Sequence, residues 1–268
     1  MAPLRIAVAG SGGRMGRTLI EAVLGAGDTA LAGAVDAVGS PCLGQDAGEF
    51  CGKPCGIRIC SDANEVLGAT DIFIDFTRPV ATLGYLSACR AAGVHMVIGT
   101  TGFDAAGRQK IADAAQHIGI VFAPNMSVGV NLMFKLIDMA ARVLADGFDL
   151  EIIEAHHKHK VDAPSGTALR MGEVAASARG GDLSRHAVYD RTGTSGERKP
   201  SSIGFSSIRG GDIVGDHTAL FAGIGERVEI THRASSRATY ATGALRAARF
   251  LKQRGKGLYD MQQVLGFA

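Results

Sequence analysis

Short apolar runs alternate with amphipathic segments over residues 4–123. The apolar runs predict strands at 4–9, 31–35, 71–76, 94–98 and 118–123. The segments between them predict helices at 14–24, from Pro79 onward, and from Asp104 to about residue 117. Proline suits the first position of a helix and aspartate suits the N-cap. A repeated strand–helix order predicts a mostly parallel sheet with helices on both faces.

The pattern changes after residue 127. A long helix is predicted at 128–144, with an apolar stripe of Leu132, Leu136, Met139 and Val143. A strand at 150–153 and a helix at 165–179 follow. Residues 201–232 predict strands at 203–208, 212–221 and 226–232 that look antiparallel, and 237–253 predicts an apolar helix that packs on the first domain. This second pattern indicates a separate α+β domain with a mixed or antiparallel sheet.

A glycine-rich loop connects the first predicted strand to the first helix. Its sequence runs Gly10-Ser-Gly-Gly-Arg-Met-Gly16, an imperfect match to G-x-G-x-x-G because Met15 occupies the third glycine position. Glycines allow the backbone to approach a pyrophosphate, and the helix start offers N–H groups to that anion. We therefore predict a Rossmann-type doubly wound α/β domain at 1–127, completed by 237–268, which binds a dinucleotide. Residues 128–236 form the predicted second domain.

An acidic residue follows the second predicted strand. Asp36 lies 20 residues after Gly16, where a carboxylate accepts hydrogen bonds from ribose hydroxyls. The same carboxylate repels the 2′-phosphate of NADP, and Ala37 offers no cation to hold that phosphate. The sequence predicts NADH as the preferred cofactor, with NADPH as the alternative and Arg14 as a weak phosphate contact.

Three further loops follow predicted strands, where ligands bind in open α/β sheets. In loops 99–102 and 123–127, backbone amides and hydroxyls can contact the nicotinamide carboxamide. Phe76, in loop 76–79, can lie on the cofactor or in the core. The loops are 76–79, 99–102 and 123–127.

Composition narrows the class of partner. The chain has 268 residues and a net charge of only +2, which disfavours nucleic-acid binding through a general basic field. It has no Trp and 4 Tyr, which disfavours nucleic-acid binding through stacking on bases. No apolar run approaches the roughly 18 residues needed to span a bilayer, and no targeting segment is evident. We expect a soluble cytoplasmic protein without nucleic-acid or membrane partners.

The 5 cysteines are expected to be reduced thiols. Four of them, Cys42, Cys51, Cys55 and Cys60, crowd one loop-like region. Their spacing differs from the paired C-x2-C of zinc sites, so a tolerant surface loop is favoured over a metal site.

The most unusual segment spans residues 154–167. It carries three histidines and two lysines in succession, His156-His-Lys-His-Lys160. A metal site is one interpretation, with His157 and His159 on one face of an extended strand, but Lys158 and Lys160 would repel a dication. A solvated basic face is a second interpretation.

An anion-binding catalytic site is the third interpretation of this segment. Lysine supplies a point charge for a carboxylate, and histidine exchanges protons near neutral pH. Ser165, Gly166 and Thr167 open a predicted helix, whose hydroxyls and N–H groups face an anion. Two such features close together suit a substrate with two carboxylates, and indicate a reductase of a small anionic substrate.

Segments 10–16, 73–77, 99–102, 154–167, 211–217 and 229–232 together resemble the 4-hydroxy-tetrahydrodipicolinate reductase family, also called dihydrodipicolinate reductase. The resemblance covers nearly the whole chain, and the His-His-x-His-Lys…Ser-Gly-Thr signature is its most specific part. It implies NAD(P)H-dependent reduction of a cyclic dicarboxylate in lysine and diaminopimelate biosynthesis, with hydride transfer to ring C4. It also implies a homotetramer assembled through the sheet of the second domain.

The resemblance assigns roles to matching positions. It implies that His156 is the proton donor or acceptor, with Lys160 as a second acid. The implied substrate-binding residues are His157, Lys160, Ser165, Gly166 and Thr167. The implied cofactor-binding residues are Gly10, Ser11, Gly12, Gly13, Arg14, Met15, Asp36, Gly99, Thr100, Thr101, Ala123, Pro124, Asn125 and Met126. Ala37 departs from members that carry arginine there, which puts NADPH preference in doubt.

Two alternatives remain from the sequence. A regulatory protein with a Rossmann domain would bind NADH without turnover. A reductase of another cyclic imine dicarboxylate would share the same general chemistry.

Overall fold

The computed structural model describes residues 2–267. The chain divides into two compact units. The first combines the residues through Val128 with those from Arg237 onward, and the second is Gly129–Ser236.

The chain alternates strands and helices before it enters a strand-rich segment. The strands are β1 Leu4–Ala9, β2 Thr29–Val35, β3 Ile59–Cys60, β4 Ile72–Asp75, β5 His95–Ile98, β6 Gly119–Phe122, β7 Asp149–His156, β8 Ala187–Val188, β9 Ile203–Arg209, β10 Gly215–Ala222, β11 Arg227–Ala234 and β12 Gly257–Tyr259. The helices are α1 Arg14–Gly25, α2 Asn64–Leu67, α3 Pro79–Ala92, α4 Ala105–Ala114, α5 Val128–Val143, α6 Gly166–Ala178, α7 Leu183–His186, α8 Ala238–Gln253 and α9 Met261–Leu265, with a 3-10 turn at Glu49–Cys51.

The first unit is built on a parallel sheet. Within residues 2–267 this sheet has seven strands in the order β12-β6-β5-β4-β1-β2-β3. One buried cluster joins the sheet to α1 and α8, and a second joins it to α3 and α4. The predicted parallel sheet with helices on both faces is confirmed. Because strand order reverses between β1 and β4, the carboxyl ends of these strands border the crevice where such sheets bind ligands.

Two local predictions in this unit rest on side-chain chemistry and are confirmed. Pro79 begins α3, and the side chain of Asp104 caps α4 by accepting a hydrogen bond from the N–H of Gly107. The region 37–60 is mostly irregular but contains β3 and the 3-10 turn. The sequence analysis missed β12 and α9, which are short and lack a strong apolar period.

The second unit contains a mixed sheet. In the described chain its order is β11-β10-β7-β9-β8. The prediction that 201–232 forms antiparallel strands is correct for β10 and β11 but wrong for β9, which lies parallel to β7. The physical reason is that β7 lies between β9 and β10, so two strands adjacent in sequence never pair with each other.

Helix α5 was predicted correctly, but its apolar stripe is not its buried face. Leu132, Leu136, Met139 and Val143 are between 41% and 81% exposed. The helix instead buries another set of side chains against the sheet, consisting of Val130, Met133, Phe134, Ile137 and Ala141. Apolar side chains form two stripes on this helix, one buried and one exposed, so periodicity predicted a helix without identifying the stripe that packs.

Candidate active site

The glycine loop at the end of β1 adopts a conformation that requires glycine. Gly10 has φ +68°, in the left-handed region that glycine enters without strain. A Cβ at Gly16 would overlap the carbonyl oxygen of Gly10, so the first turn of α1 packs directly on the loop backbone. No side chain caps α1 at Gly13 in the described chain, and its first turn has no acidic residue. This uncapped start with a positive dipole end fits the pyrophosphate of a dinucleotide.

Asp36 lies next to this loop at the end of β2. Its Oδ2 accepts a hydrogen bond from the N–H of Gly12 at 2.6 Å, and its Oδ1 accepts one from the N–H of Ala37 at 2.7 Å. Burial raises the pKa of Asp36, but these hydrogen bonds outweigh burial and lower the pKa below its usual value. The group is therefore a fixed carboxylate. It retains acceptor capacity, because an ionised carboxylate offers roughly four lone-pair sites.

The loop and Asp36 border a cavity of about 800 Å³ in the first unit. Several of the predicted cofactor residues line it together: Gly10, Gly13, Arg14, Met15, Asp36 and Phe76. The sequence analysis named Arg78 only as part of loop 76–79, and it missed the lining residues Tyr85, Arg237 and Tyr240. Arg237 and Tyr240 lie at the start of α8, some 200 residues from the loop in sequence, so no local pattern pointed to them.

The remaining predicted cofactor residues do not line this cavity. A Cβ at Gly99 would overlap the Phe76 ring, so these two predicted residues are in contact. Several of the others have buried side chains, which leaves mainly their backbone for a ligand: Ser11, Thr100, Ala123 and Met126. Their neighbours Thr101 and Pro124 are exposed, Asn125 is half-buried, and the Oδ1 of Asn125 accepts from the N–H of Ser127.

In the second unit, β7 carries a buried carboxylate beside the first histidine of the 154–167 segment. Glu154 is 1% exposed, and its Oε2 lies 2.6 Å from Nδ1 of His156. Arg209 on β9 donates to both carboxylate oxygens, at 2.7 and 2.8 Å. The N–H of Ser165 donates to Oε1 at 3.2 Å. Four donors thus surround one carboxylate, in keeping with the need of buried charges for partners.

These contacts determine the charge of Glu154. Burial raises the pKa of this carboxyl, but hydrogen bonds from Arg209 and His156 reverse the effect and lower it from 4.5 to about 2. Glu154 is therefore ionised at neutral pH. A carboxylate at Nδ1 holds the hydrogen of His156 on that nitrogen and leaves Nε2 as the atom that exchanges a proton.

Ser165 and His217 complete this group of side chains. Ser165 is the N-cap of α6, and its Oγ accepts from the N–H of Ala168 at 3.2 Å. The same Oγ lies 3.0 Å from Nε2 of His217 on β10. The rings of His156 and His217 pack edge to face with centroids 5.1 Å apart. We call Glu154, His156, Ser165, Arg209 and His217 the Glu154 cluster.

Beyond His156 the segment leaves the strand. The prediction that His157 and His159 share a face of an extended strand is wrong, because β7 ends at His156 and Lys158–His159 form a turn. Lys158 and His159 are exposed, and the Nζ of Lys160 lies 2.8 Å from both oxygens of Asp162. Of residues 2–267, no group of three or more His, Cys, Asp or Glu side chains is arranged to hold a metal ion.

Gly166 and Thr167 directly follow the N-cap residue Ser165 and lie in the first turn of α6. The structure therefore brings His156, Ser165, Gly166 and Thr167 to one end of the second unit's sheet, with Lys160 in the connecting loop. Sequence analysis named Glu154 only as a segment boundary, and it missed Arg209 and His217 as site residues. The one indication of His217 was its place in the 211–217 segment.

No helix among residues 2–267 has the length and apolar character to cross a membrane.

Family models match both units of the chain. The model described as "Dihydrodipicolinate reductase, N-terminus" matches residues 4–126, and "Dihydrodipicolinate reductase, C-terminus" matches residues 129–265. Together they span nearly all of the described chain.

Similar proteins extend over the full length. The chain is 62% identical over 266 residues to a 4-hydroxy-tetrahydrodipicolinate reductase of Nitrosomonas eutropha, covering 99% of each chain. It is 63% identical to the reductase of that name from Laribacter hongkongensis, again over 99% of each. Among solved structures, a dipicolinate-bound dihydrodipicolinate reductase from Paenisporosarcina sp. TG-14 superposes with a TM-score of 0.76 at 26% identity, covering 97% of this chain and 98% of that one.

The ionised Glu154 predicts an acid-sensitive contribution to stability. Its folded-state pKa lies below the unfolded value, so the contribution is present above about pH 4.5 and is lost as pH falls toward 2. Between about pH 5 and pH 3 the wild type should lose about 2 kcal/mol more free energy of unfolding than Glu154→Gln. Urea unfolding at both pH values measures this difference.

Glu173→Gln is the matched control. Glu173 forms an exposed ion pair with Arg170 on α6, so this variant should lose stability as steeply as the wild type. Equal acid sensitivity of Glu154→Gln and the wild type would show that Glu154 is not the buried carboxylate described here.

Proposed function

Because this chain belongs to the dihydrodipicolinate reductase family, we propose that it reduces 4-hydroxy-tetrahydrodipicolinate to tetrahydrodipicolinate with a reduced nicotinamide nucleotide, in lysine and diaminopimelate biosynthesis. The full-length similarity to reductases of that name carries the proposal. The dipicolinate bound to the solved relative supports a ring with two carboxylates as the substrate class. The first unit is the proposed nucleotide-binding domain and the second the proposed substrate-binding and oligomerisation domain.

The proposed cofactor is NADH. The fixed carboxylate of Asp36 accepts hydrogen bonds from ribose hydroxyls and repels a 2′-phosphate, and exposed Ala37 offers no cation at that point. The uncapped start of α1 binds the pyrophosphate through backbone N–H groups. When bound, the reduced nicotinamide supplies the hydride.

The proposed substrate clamp lies at the start of α6. The hydroxyls of Ser165 and Thr167 and the N–H groups of this first turn face one carboxylate, and the ammonium of Lys160 attracts the other. His157 contributes to the same clamp. In the structure Lys160 is paired with Asp162, whose side chain is 60% exposed. A substrate carboxylate therefore takes the place of Asp162 beside the Lys160 ammonium, or shares the ammonium with it. Giving up a solvent-exposed ion pair costs little free energy.

The proton chemistry is assigned to His156. After loss of water the ring is a conjugated imine, and its imine and carboxylate groups withdraw electrons from C4. Hydride addition at C4 leaves an enamine, which takes up one proton to give the product. Glu154 holds Nδ1 of His156 and stabilises the imidazolium, so Nε2 donates the proton. Lys160 is the second acid.

Space around His156 supports this assignment. A Cβ at Gly215 would lie 3.1 Å from Nε2 of His156, so glycine at the start of β10 leaves that nitrogen room. The His156 side chain is 12% exposed, which keeps it partly shielded from water while it remains within reach of a ligand.

The proposed assembly is a homotetramer formed through the sheet of the second unit. One face of this sheet is covered by α5 and α6, and the opposite face carries half-buried Ile153 and Leu220 and 52% exposed Ile208. An apolar patch of this kind is typical of an interface.

The mass in solution checks this assembly. Multi-angle light scattering should give four times the chain mass, and Ile208→Asp should give a smaller species because it places charge in the interface. Val143→Asp changes an exposed apolar residue on α5 and should leave the mass unchanged. A monomeric wild type would contradict the assembly.

Turnover is the decisive test of function. With freshly prepared 4-hydroxy-tetrahydrodipicolinate, absorbance at the nicotinamide band should fall with time, and kcat/KM should be higher with NADH than with NADPH because of Asp36. Nucleotide binding without turnover would support a regulatory protein instead. A kcat/KM with NADPH that equals or exceeds the value with NADH would overturn only the cofactor assignment and leave the reductase function standing.

Substitutions within the 154–167 segment test the proposed roles. His156→Gln should lower kcat roughly a hundredfold or more with little change in KM, since it removes the proton donor but leaves the clamp. Lys160→Ala should lower kcat and raise KM, because the ammonium acts in both steps. Steady-state kinetics on both variants measures these effects.

The same segment supplies the controls. His159→Gln and Lys158→Ala replace exposed side chains of the same types and should leave kcat and KM near wild type. Wild-type kinetics for His156→Gln or Lys160→Ala would refute the corresponding role.

A further inference from the structure

His217 is a buried histidine for which the proposed mechanism has no role. It lies on β10, where it pairs in register with Glu154 of β7 and His232 of β11, and it is 4% exposed. Its Nε2 lies 3.0 Å from Oγ of Ser165, which is itself 2% exposed. Either atom can be the donor in this hydrogen bond, so the position of two hydrogens has to be inferred from their surroundings.

The imidazole of His217 is neutral at physiological pH. Burial lowers its pKa to about 4, and the nearby His156 acts in the same direction. A neutral imidazole carries one N–H, on either Nδ1 or Nε2.

The surroundings of Nδ1 decide between these two positions. Nδ1 of His217 is buried and has no hydrogen-bond partner among the side chains and backbone of residues 2–267. A buried N–H without an acceptor is rare and costly. The hydrogen therefore resides on Nε2, which donates to Oγ of Ser165.

When Nε2 of His217 is the donor, only the hydrogen of the Ser165 hydroxyl is left for a further hydrogen bond. Its oxygen already accepts from the N–H of Ala168, the N-cap bond of α6. With the second bond from His217, both lone pairs of the oxygen are used. The hydroxyl hydrogen is then directed away from His217 and from the N–H of Ala168.

We propose that His217 is a positioning residue, which accepts no hydrogen from Ser165 and thereby directs the Ser165 O–H toward a substrate carboxylate. The proposal rests on the proposed function, in which Ser165 binds one carboxylate. The opposite tautomer would take up the Ser165 hydrogen and turn the oxygen lone pairs toward the anion. The arrangement thus converts a hydroxyl that could attract or repel a carboxylate into a fixed donor.

A double-mutant cycle tests the coupling. The probe is dipicolinate, and its dissociation constant is measured by calorimetry on the full chain with saturating NADH. Ser165→Ala should weaken binding roughly tenfold, the size expected for a hydrogen bond to a charged group. His217→Leu should weaken binding roughly fivefold by releasing the hydroxyl. The double variant should bind no more weakly than Ser165→Ala, because His217 acts only through that hydroxyl.

His217→Gln provides the rescue. Its amide N–H replaces the donor toward Ser165, so dipicolinate affinity should return to within about twofold of wild type. In turnover, His217→Leu should raise KM and leave kcat within about twofold, since binding and not proton transfer is altered. A purely structural role would not be restored by glutamine, and it would add to the effect of Ser165→Ala.

The outcomes separate this inference from the proposed function. If Ser165→Ala leaves dipicolinate affinity unchanged, the substrate clamp itself is wrong. If Ser165→Ala weakens binding but the effects of the two substitutions are additive, the clamp stands and the role of His217 is refuted.

Discussion

The buried charge of Glu154 is the constraint around which the second unit is organised. A carboxylate that is 1% exposed is tolerated only when hydrogen bonds replace its lost hydration. Arg209, His156 and the N–H of Ser165 supply them from β9, from β7 itself and from the start of α6. Removing one partner of such a buried pair typically costs about 3–5 kcal/mol. The same hydrogen bonds that stabilise the Glu154 carboxylate also fix the imidazole of His156 and the start of α6.

The first unit offers a ligand mainly backbone groups, whereas the second offers titratable side chains. Its glycine loop offers backbone N–H groups and a helix dipole, and a single carboxylate, Asp36, is tied to that loop through the N–H of Gly12. Absence of side chains is the requirement there, because a Cβ at Gly16 would overlap the Gly10 carbonyl oxygen. Fixed dipoles suit the pyrophosphate of a nucleotide, whose charge does not change in the reaction. Titratable side chains suit the unit in which we place proton transfer.

Polar side chains of the Glu154 cluster also have little conformational freedom. Ser165 caps α6 and contacts His217, while Arg209 also donates to the carbonyl of Asp162 in the loop that carries Lys160. The loop, helix α6 and the three strands β7, β9 and β10 therefore share one hydrogen-bond network. In a network of this kind each bond limits the orientation of the next, which explains how one buried histidine can define the direction of a hydroxyl.

The sequence by itself determined the elements whose cause is local. Alternating apolar runs predicted the parallel sheet, and Pro79 and Asp104 marked helix starts. The anion site predicted in the 154–167 segment stays a prediction. Tertiary structure alone decided that Arg209 and His217 meet that segment, since they are 55 and 52 residues from their partners. It also decided which face of α5 is buried and that β9 runs parallel to β7. The reason is that strand order and packing depend on pairings between distant residues, which no local period encodes.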